Sequence, residues 1–413
     1  MKFVDIDEPI FPDSYFFADK THTIQETVNQ CADAGGGTVI VPKGNWQSGP
    51  IHMRSNVHLK FEDGAVIEFS EKFAEYLPVV FTRWEGMECY NYSPLIYANG
   101  CSNIAVTGNA ELIGNGEAWW HWKKLQQKAA EELCYAEWNQ IPPEKRSYGT
   151  EEAALRPSFI QTVNCKDVLL DGFTVKNGPQ WTLHPVYCEN VIIRNINVST
   201  QGPNTDGLNP DSCRNVLIEN CVFNTGDDCI AINSGMNEDG WRVGRPCENV
   251  EIRNCTMNGG HGGIVIGSAI SGGVKNIYAH DCKINGTMQG IRLKSMRGRG
   301  GCVDHAVFEN IEINNVSHQA IQINMFYEFS TVMPKSEEPS DFKNITIRNI
   351  YGSNAKVGIE IKGLPEHKLT DITLKDIHLS AEHAFTCSNV EKISMTDVEI
   401  DSIGKDDNND SII

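Results

Sequence analysis

Three aspartates, a histidine and two cations stand in four short segments of this chain: Asn204-Thr205-Asp206, Gly226-Asp227-Asp228, Gly260-His261-Gly262 and Arg292-Leu293-Lys294. Splitting a glycosidic bond with water requires a proton donor for the departing oxygen and a carboxylate that activates water or attacks directly. Asp206, Asp227 and Asp228 could fill both roles, because closely held like charges push one carboxyl pKa upward while the others stay ionised. His261, flanked by glycines, has little bulk beside it, which suits a residue open to a ligand. Arg292 and Lys294 are two positions apart, face one side of a strand and could clamp a carboxylate. Taken singly, Gly-Asp-Asp is an ordinary turn and the basic pair a solvated strand. Their common phase sets them apart.

That phase is the pitch of a coil. The steps from Asp206 to Asp228, Asp228 to His261 and His261 to Arg292 are 22, 33 and 31 residues, each about one turn of a solenoid. A six-residue phrase marks the same period: Asn190-Val-Ile-Ile-Arg-Asn195, Asn215-Val-Leu-Ile-Glu-Asn220, Asn249-Val-Glu-Ile-Arg-Asn254, Asn276-Ile-Tyr-Ala-His-Asp281, Asn344-Ile-Thr-Ile-Arg-Asn349 and Asp371-Ile-Thr-Leu-Lys-Asp376. Alternating apolar residues predict a half-buried strand, and the Asn and Asp residues at its ends supply turns. No helical segment separates the copies, so a right-handed βαβ crossover is excluded. The predicted fold is all-β, a single-stranded right-handed parallel β-helix whose coils pair about 4.8 Å apart and share one core.

Within regular strands, neighbouring side chains face opposite ways. Asp227 and Asp228 can therefore both reach a groove only where the backbone bends, which Gly226 permits. Eight of the 14 cysteines fall into two repeating slots: Cys101, Cys165, Cys188, Cys213 and Cys247 two residues before an opening Asn or Asp, and Cys221, Cys255 and Cys282 just after a closing one. Free cysteine is a small buried hydrophobe, and no CxxC pair is present. An internal ladder is expected, with no metal and no cofactor.

A solenoid grows by adding coils, so the 413 residues, 40% apolar, read as one domain, 1–413. Ile24 to Ala34 has helical spacing before Gly35-Gly36-Gly37, predicting a helix and cap over about 20–37 that shields the first strands. Residues 117–155 break the period with Trp119, Trp120 and Trp122 and are expected to form an inserted loop region. Met1 to Pro12 lacks a basic start followed by an apolar run, and no apolar stretch reaches about 18 residues; the expectation is a cytoplasmic protein without a membrane span. A formal charge of −19 argues against nucleic acid as partner, and attraction of an anionic ligand would have to be local.

The segments NTDGLNPDS (204–212), GDDCIAI (226–232), GHGGIVIGS (260–268) and GIRLKS (290–295) resemble the four signature blocks of glycoside hydrolase family 28, the polygalacturonases. The resemblance extends from GGGTVIVPKGNW near residue 40 through RPSFIQ at 156 and NGPQW at 177 to GRGG at 298. It implies hydrolysis of α-1,4-linked galacturonic acid in pectic oligo- or polysaccharides with inversion at the anomeric carbon. By motif position Asp227 would be the general acid, Asp206 and Asp228 would hold and deprotonate the water, and His261 would support the acid. Arg292 and Lys294 would bind the substrate carboxylate, with Asn204 and Tyr327 as further contacts.

Two departures stand out. Asn233 and Ala269 occupy positions where the family commonly has Lys and Glu, and the loss of both charges together suggests a missing ion pair; a large separation between the two would remove that idea. End-on action is expected from the insertion, which could wall off the groove. The alternatives are a hydrolase of a substituted or rhamnose-containing galacturonan, a calcium-dependent pectate lyase using the same aspartates as ligands, and a non-catalytic sugar-binding β-helix.

Overall fold

The computed structural model describes residues 3–19, 21–327 and 338–403. The chain winds as a right-handed parallel β-helix whose strands pair coil to coil in three columns. The first column holds the repeated phrase: Lys166–Asp171, Glu189–Arg194, Arg214–Glu219 and Cys247–Arg253 stack in register, Val168 to Val191 to Val216 to Val250. The second carries short strands such as Thr174–Lys176, Asn197–Ser199 and Val222–Asn224. The third carries Ile160–Val163, Leu183–Val186, Ile230–Ile232, Gly262–Ile266, Gln289–Lys294 and Gln319–Asn324. One continuous apolar core runs inside the coil from Ala18 to Ala381.

The Asn and Asp residues of the repeat do two jobs. Asn190, Asn195, Asn215, Asn220, Asn249 and Asn254 all adopt left-handed backbone, φ between 53° and 57°, a region that Asn tolerates better than most residues. Their amides also stack: Asn215 donates to Asn190 at 3.1 Å and accepts from Asn249 at 3.0 Å. Replacing Asn215 by Val should lose both the bonds and the permitted turn, whereas Gly should lose only the bonds. We expect Asn215→Val to be the more destabilised of the two by about 1–2 kcal/mol, read from thermal or denaturant unfolding; equal losses would contradict the dual role.

The cysteine slots are internal as expected. All eight are buried and unbridged, with thiols directed at backbone carbonyls, as in Cys188 to Thr162 and Cys213 to Pro185, both 3.2 Å. A helix over Ile24–Asp33 covers the first coils, begun by a capping box in which Thr23 and Glu26 satisfy each other's backbone N–H groups. No helix among the described residues is long and apolar enough to cross a membrane.

Residues 117–155 differ from the expected loop. They form helices over Glu117–Trp120 and Gln127–Trp138 with 3-10 turns at His121–Lys124 and Pro143–Lys145. The reason is apolar content: Trp119 and Trp122 are fully buried against Phe73, Tyr76 and Tyr92, and the Gln127–Trp138 helix buries Ala129, Ala130 and Leu133. Trp119 and Trp122 join the main core, whereas Ala129, Ala130 and Leu133 form a second small core with Trp84, Met87 and Cys89. That core holds an antiparallel hairpin, Val80–Trp84 with Met87–Asn91, over the third column of strands.

Candidate active site

The third column is interrupted where the site lies. Between Leu183–Val186 and Ile230–Ile232 the segment from 204 to 212 forms no regular strand and pairs with its neighbours through isolated bridges at Leu208 and Asp211. This irregular coil places Asp206 at the floor of a pocket, buried, its carboxylate accepting from the Asn209 amide at 2.9 Å. One coil on, Asp227 and Asp228 fall in the bend before Ile230–Ile232 rather than within it. A Cβ on Gly226 would stand 2.2 Å from the Gly202 carbonyl oxygen, so only glycine lets the chain turn there. The bend resolves the problem of alternating faces, because both aspartates line the pocket with Asp206.

One carboxylate oxygen from each of the three aspartates lies within 4.8 Å of the other two. His261 Nδ1 is 3.0 Å from Asp227 Oδ1, and the His261 backbone N–H donates to the Asp227 carbonyl at 2.9 Å. Lys294 Nζ donates to Asp228 Oδ2 at 2.7 Å, while the other Asp228 oxygen is buried without a partner. Burial, reinforced by Asp227 and Asp228, holds the Asp206 carboxyl well above the usual carboxylate range. Burial also opposes ionisation of Asp227, but its bond to His261 brings it below that range. The same bond raises His261 above the usual imidazole value. These opposite shifts favour a proton on Asp206 over one on Asp227, and pair Asp227 with His261.

The expected cations are present but differ in their duties. Lys294 is buried and engaged with Asp228, and burial that would discharge it is outweighed by that carboxylate. Arg292 donates from Nε to Gln322 at 3.0 Å. Both lie over the Tyr327 ring, at 5.5 Å for Arg292 and 5.0 Å for Lys294, and Tyr327 lines the pocket. Asn204 also lines it, its side-chain oxygen held by Arg156 Nη2 at 2.9 Å. Six of the eight residues singled out in the sequence therefore line one cleft; His261 adjoins it through its contact with Asp227 and Arg292 through the Tyr327 ring.

Asn233 and Ala269 stand on adjacent coils at the pocket wall, joined through a Ser234 N–H to Ala269 carbonyl bond of 2.6 Å. They are close, so the separation that would have removed the missing-pair idea is not found. What fills the space is the hairpin tip: a Cβ on Gly86 would lie 3.1 Å from that of Ala269. A longer side chain at 269 would have to turn away from the hairpin tip.

Sequence reasoning missed several pocket residues. Glu85, Met87, Lys123 and Trp181 all line it. Glu85 accepts from Gln180 Nε2 at 3.1 Å, and Gln180 is fixed by the Trp84 indole at 2.9 Å. A signal for the hairpin existed: alternating residues on either side of Glu85-Gly86, both at positive φ, the requirement of a two-residue type I′ turn.

The model of the glycosyl hydrolases family 28 matches residues 136–398. A probable polygalacturonase of Vitis vinifera is 28% identical over 396 residues, covering 91% of this chain and 74% of that relative. The solved hyperthermoactive exopolygalacturonase of Thermotoga maritima superposes with a TM-score of 0.91 at 35% identity, covering 96% of this chain and 94% of that one. The polygalacturonase of Erwinia carotovora shares the fold, with a TM-score of 0.70 at 24% identity over 94% and 98% of the two chains. With its acid cluster, histidine and cation pair gathered in the matched region, the chain belongs to glycoside hydrolase family 28, the polygalacturonases.

Proposed function

We propose that the protein hydrolyses the α-1,4 linkage between galacturonic acid units of pectin-derived oligo- or polygalacturonides, from a chain end and by single displacement with inversion. The observation that carries this reading is the clustering of Asp206, Asp227 and Asp228 within 4.8 Å, with His261 bonded to one and Lys294 to another. Asp227 protonates the departing oxygen, and Asp206 with Asp228 holds the water and takes its proton. Turnover then leaves the base protonated and Asp227 ionised beside His261, the distribution that the opposite shifts of Asp206 and Asp227 favour. Loss of the base's proton to solvent and return of a proton to Asp227 from the His261 side together reset the site, giving the histidine its part. Arg292 meets the substrate carboxylate, with Lys294 beside it, Tyr327 and Asn204 as further contacts.

End-on action is supported by the hairpin tip and the 117–155 segment, which close on the pocket through Glu85, Met87 and Lys123, and by likeness to an exopolygalacturonase. The Lys294 ammonium already supplies a positive charge against the acid cluster, which favours hydrolysis over calcium-assisted elimination. Inversion rests on the family resemblance: the aspartate oxygens are closer than the roughly 6.5 Å or more typical of inverting pairs.

A time course on defined pectic oligosaccharides tests all three points. Steady release of mono- or disaccharide, saturated, with the β anomer formed first, is the expected result. Early mixed oligomers would exclude end action, an α anomer would exclude single displacement, and an unsaturated product would replace hydrolysis by elimination.

A further inference from the structure

The cleft has cations on both sides of its acid cluster, and only one side is accounted for by Arg292 and Lys294. Along the solenoid axis, Trp181 lies one coil before Asp206, its neighbour Thr182 bonding the Asp206 carbonyl at 2.9 Å. The basic pair lies one coil beyond His261, through the pairing of Gly262–Ile266 with Gln289–Lys294. The acids therefore sit between Trp181 and Arg292. Lys123 and Glu85 line the pocket together with Trp181.

The position of Lys123 is built rather than incidental. It directly follows Trp122, which is buried and packed on Phe73 at 4.4 Å. Trp119 fixes the preceding turn, 5.0 Å from Trp122, and the Trp120 indole donates to the Gly178 carbonyl at 3.0 Å. The three tryptophans that break the repeat thus anchor the segment and leave Lys123 exposed at the pocket. Among the described residues Lys123 forms no ion pair. The nearby carboxyl, Glu85, is held above the usual carboxylate range by burial, against the pull of Lys123 and Arg156. That shift lessens the charge Glu85 can set against Lys123, and in its protonated form Glu85 can donate to a hydroxyl group.

We infer that Lys123, with Trp181 as the apolar platform and Glu85 as a hydroxyl partner, forms the subsite for the sugar across the scissile linkage from Arg292, and that Lys123 binds this sugar's carboxylate. The substrate class is thereby narrowed: both sugars flanking the cleaved bond carry a free carboxylate, so a rhamnose or an esterified uronate at that subsite is rejected. The inference rests on the galacturonan-hydrolase reading and adds a second uronate to it.

The test is binding, measured by calorimetry on Asp227→Asn protein so that ligand stays uncleaved, with and without Lys123→Gln. Three ligands are compared: digalacturonate and its two derivatives with one or the other carboxyl reduced to hydroxymethyl. Each reduction should weaken binding to the parent by roughly fivefold, the effect of a part-exposed ion pair. Lys123→Gln should erase the penalty for one derivative and keep it for the other, and Arg292→Gln should do the reverse. Equal weakening of all three ligands by Lys123→Gln, or no change in any, overturns the inference. Cleavage of digalacturonate by the wild type scores the hydrolase reading separately, since that can fail while the binding pattern holds.

Discussion

Asp227→Asn should lower kcat by about 10³- to 10⁴-fold, the upper part of the range for a positioned general acid, with KM little changed. Asparagine keeps the shape and can still face His261 across the 3.0 Å contact, but it carries no acidic proton for the departing oxygen. A galacturonoside whose leaving group needs no proton should therefore be cleaved by the variant with a much smaller deficit. The substitution also removes one of the two carboxylates that, after burial, raise the Asp206 pKa. With that repulsion gone, the Asp206 pKa falls. Asp206 should then lose its proton at lower pH in the variant than in the wild type. The linkage has a definite sign: a carboxyl raised in the folded state contributes stability below its unfolded pKa and loses it as pH rises through the folded value. Unfolding measured against pH should show that loss at lower pH in the variant. Activity within tenfold of wild type on the natural linkage would remove Asp227 from the acid role.

How much of this was legible beforehand depends on the range of the interactions. The coil was readable because each turn repeats a local need: Asn215 must adopt positive φ and bond to its counterparts above and below, so the requirement recurs in sequence. The acid cluster was readable because its residues occupy that repeat at successive turns. The Gln127–Trp138 helix carried its own signal in Ala129, Ala130 and Leu133, masked by surrounding tryptophans and prolines that read as a loop. The hairpin was locally legible from its alternation, but its landing site was not. Arg83 meets Asp211 across 128 residues of sequence, and no periodicity connects them. Lys123 and Glu85 entered the pocket only through such contacts, and were invisible to spacing for the same reason.

Arg83→Met should destabilise the protein by about 3–5 kcal/mol, the cost of stranding one partner of a buried ion pair. Arg83 and Asp211 have no solvent exposure, and Arg83 Nη1 donates to Asp211 Oδ1 and Ser212 Oγ, each at 2.9 Å. Arg83 Nε donates to the Gly86 carbonyl at 3.0 Å, so one side chain ties the hairpin turn to the coil that carries Asp206. Methionine would fill much of the volume but leave the Asp211 carboxylate facing only the Gly235 N–H at 3.1 Å and His184 at 3.7 Å. Pairing the change with Asp211→Asn should restore a large part of the loss, because no buried charge is then uncompensated; a double-mutant cycle by thermal or denaturant unfolding measures the coupling. Stability and specificity should separate in that double variant. Its fold recovers, yet the tip bearing Glu85 has lost its tether, so affinity for the chain end should fall more than kcat. A single Arg83→Met protein as stable as wild type would show that the hairpin is held by its apolar contacts with Met236 and Ala269 alone, and the ion pair would then have no part in shaping the pocket.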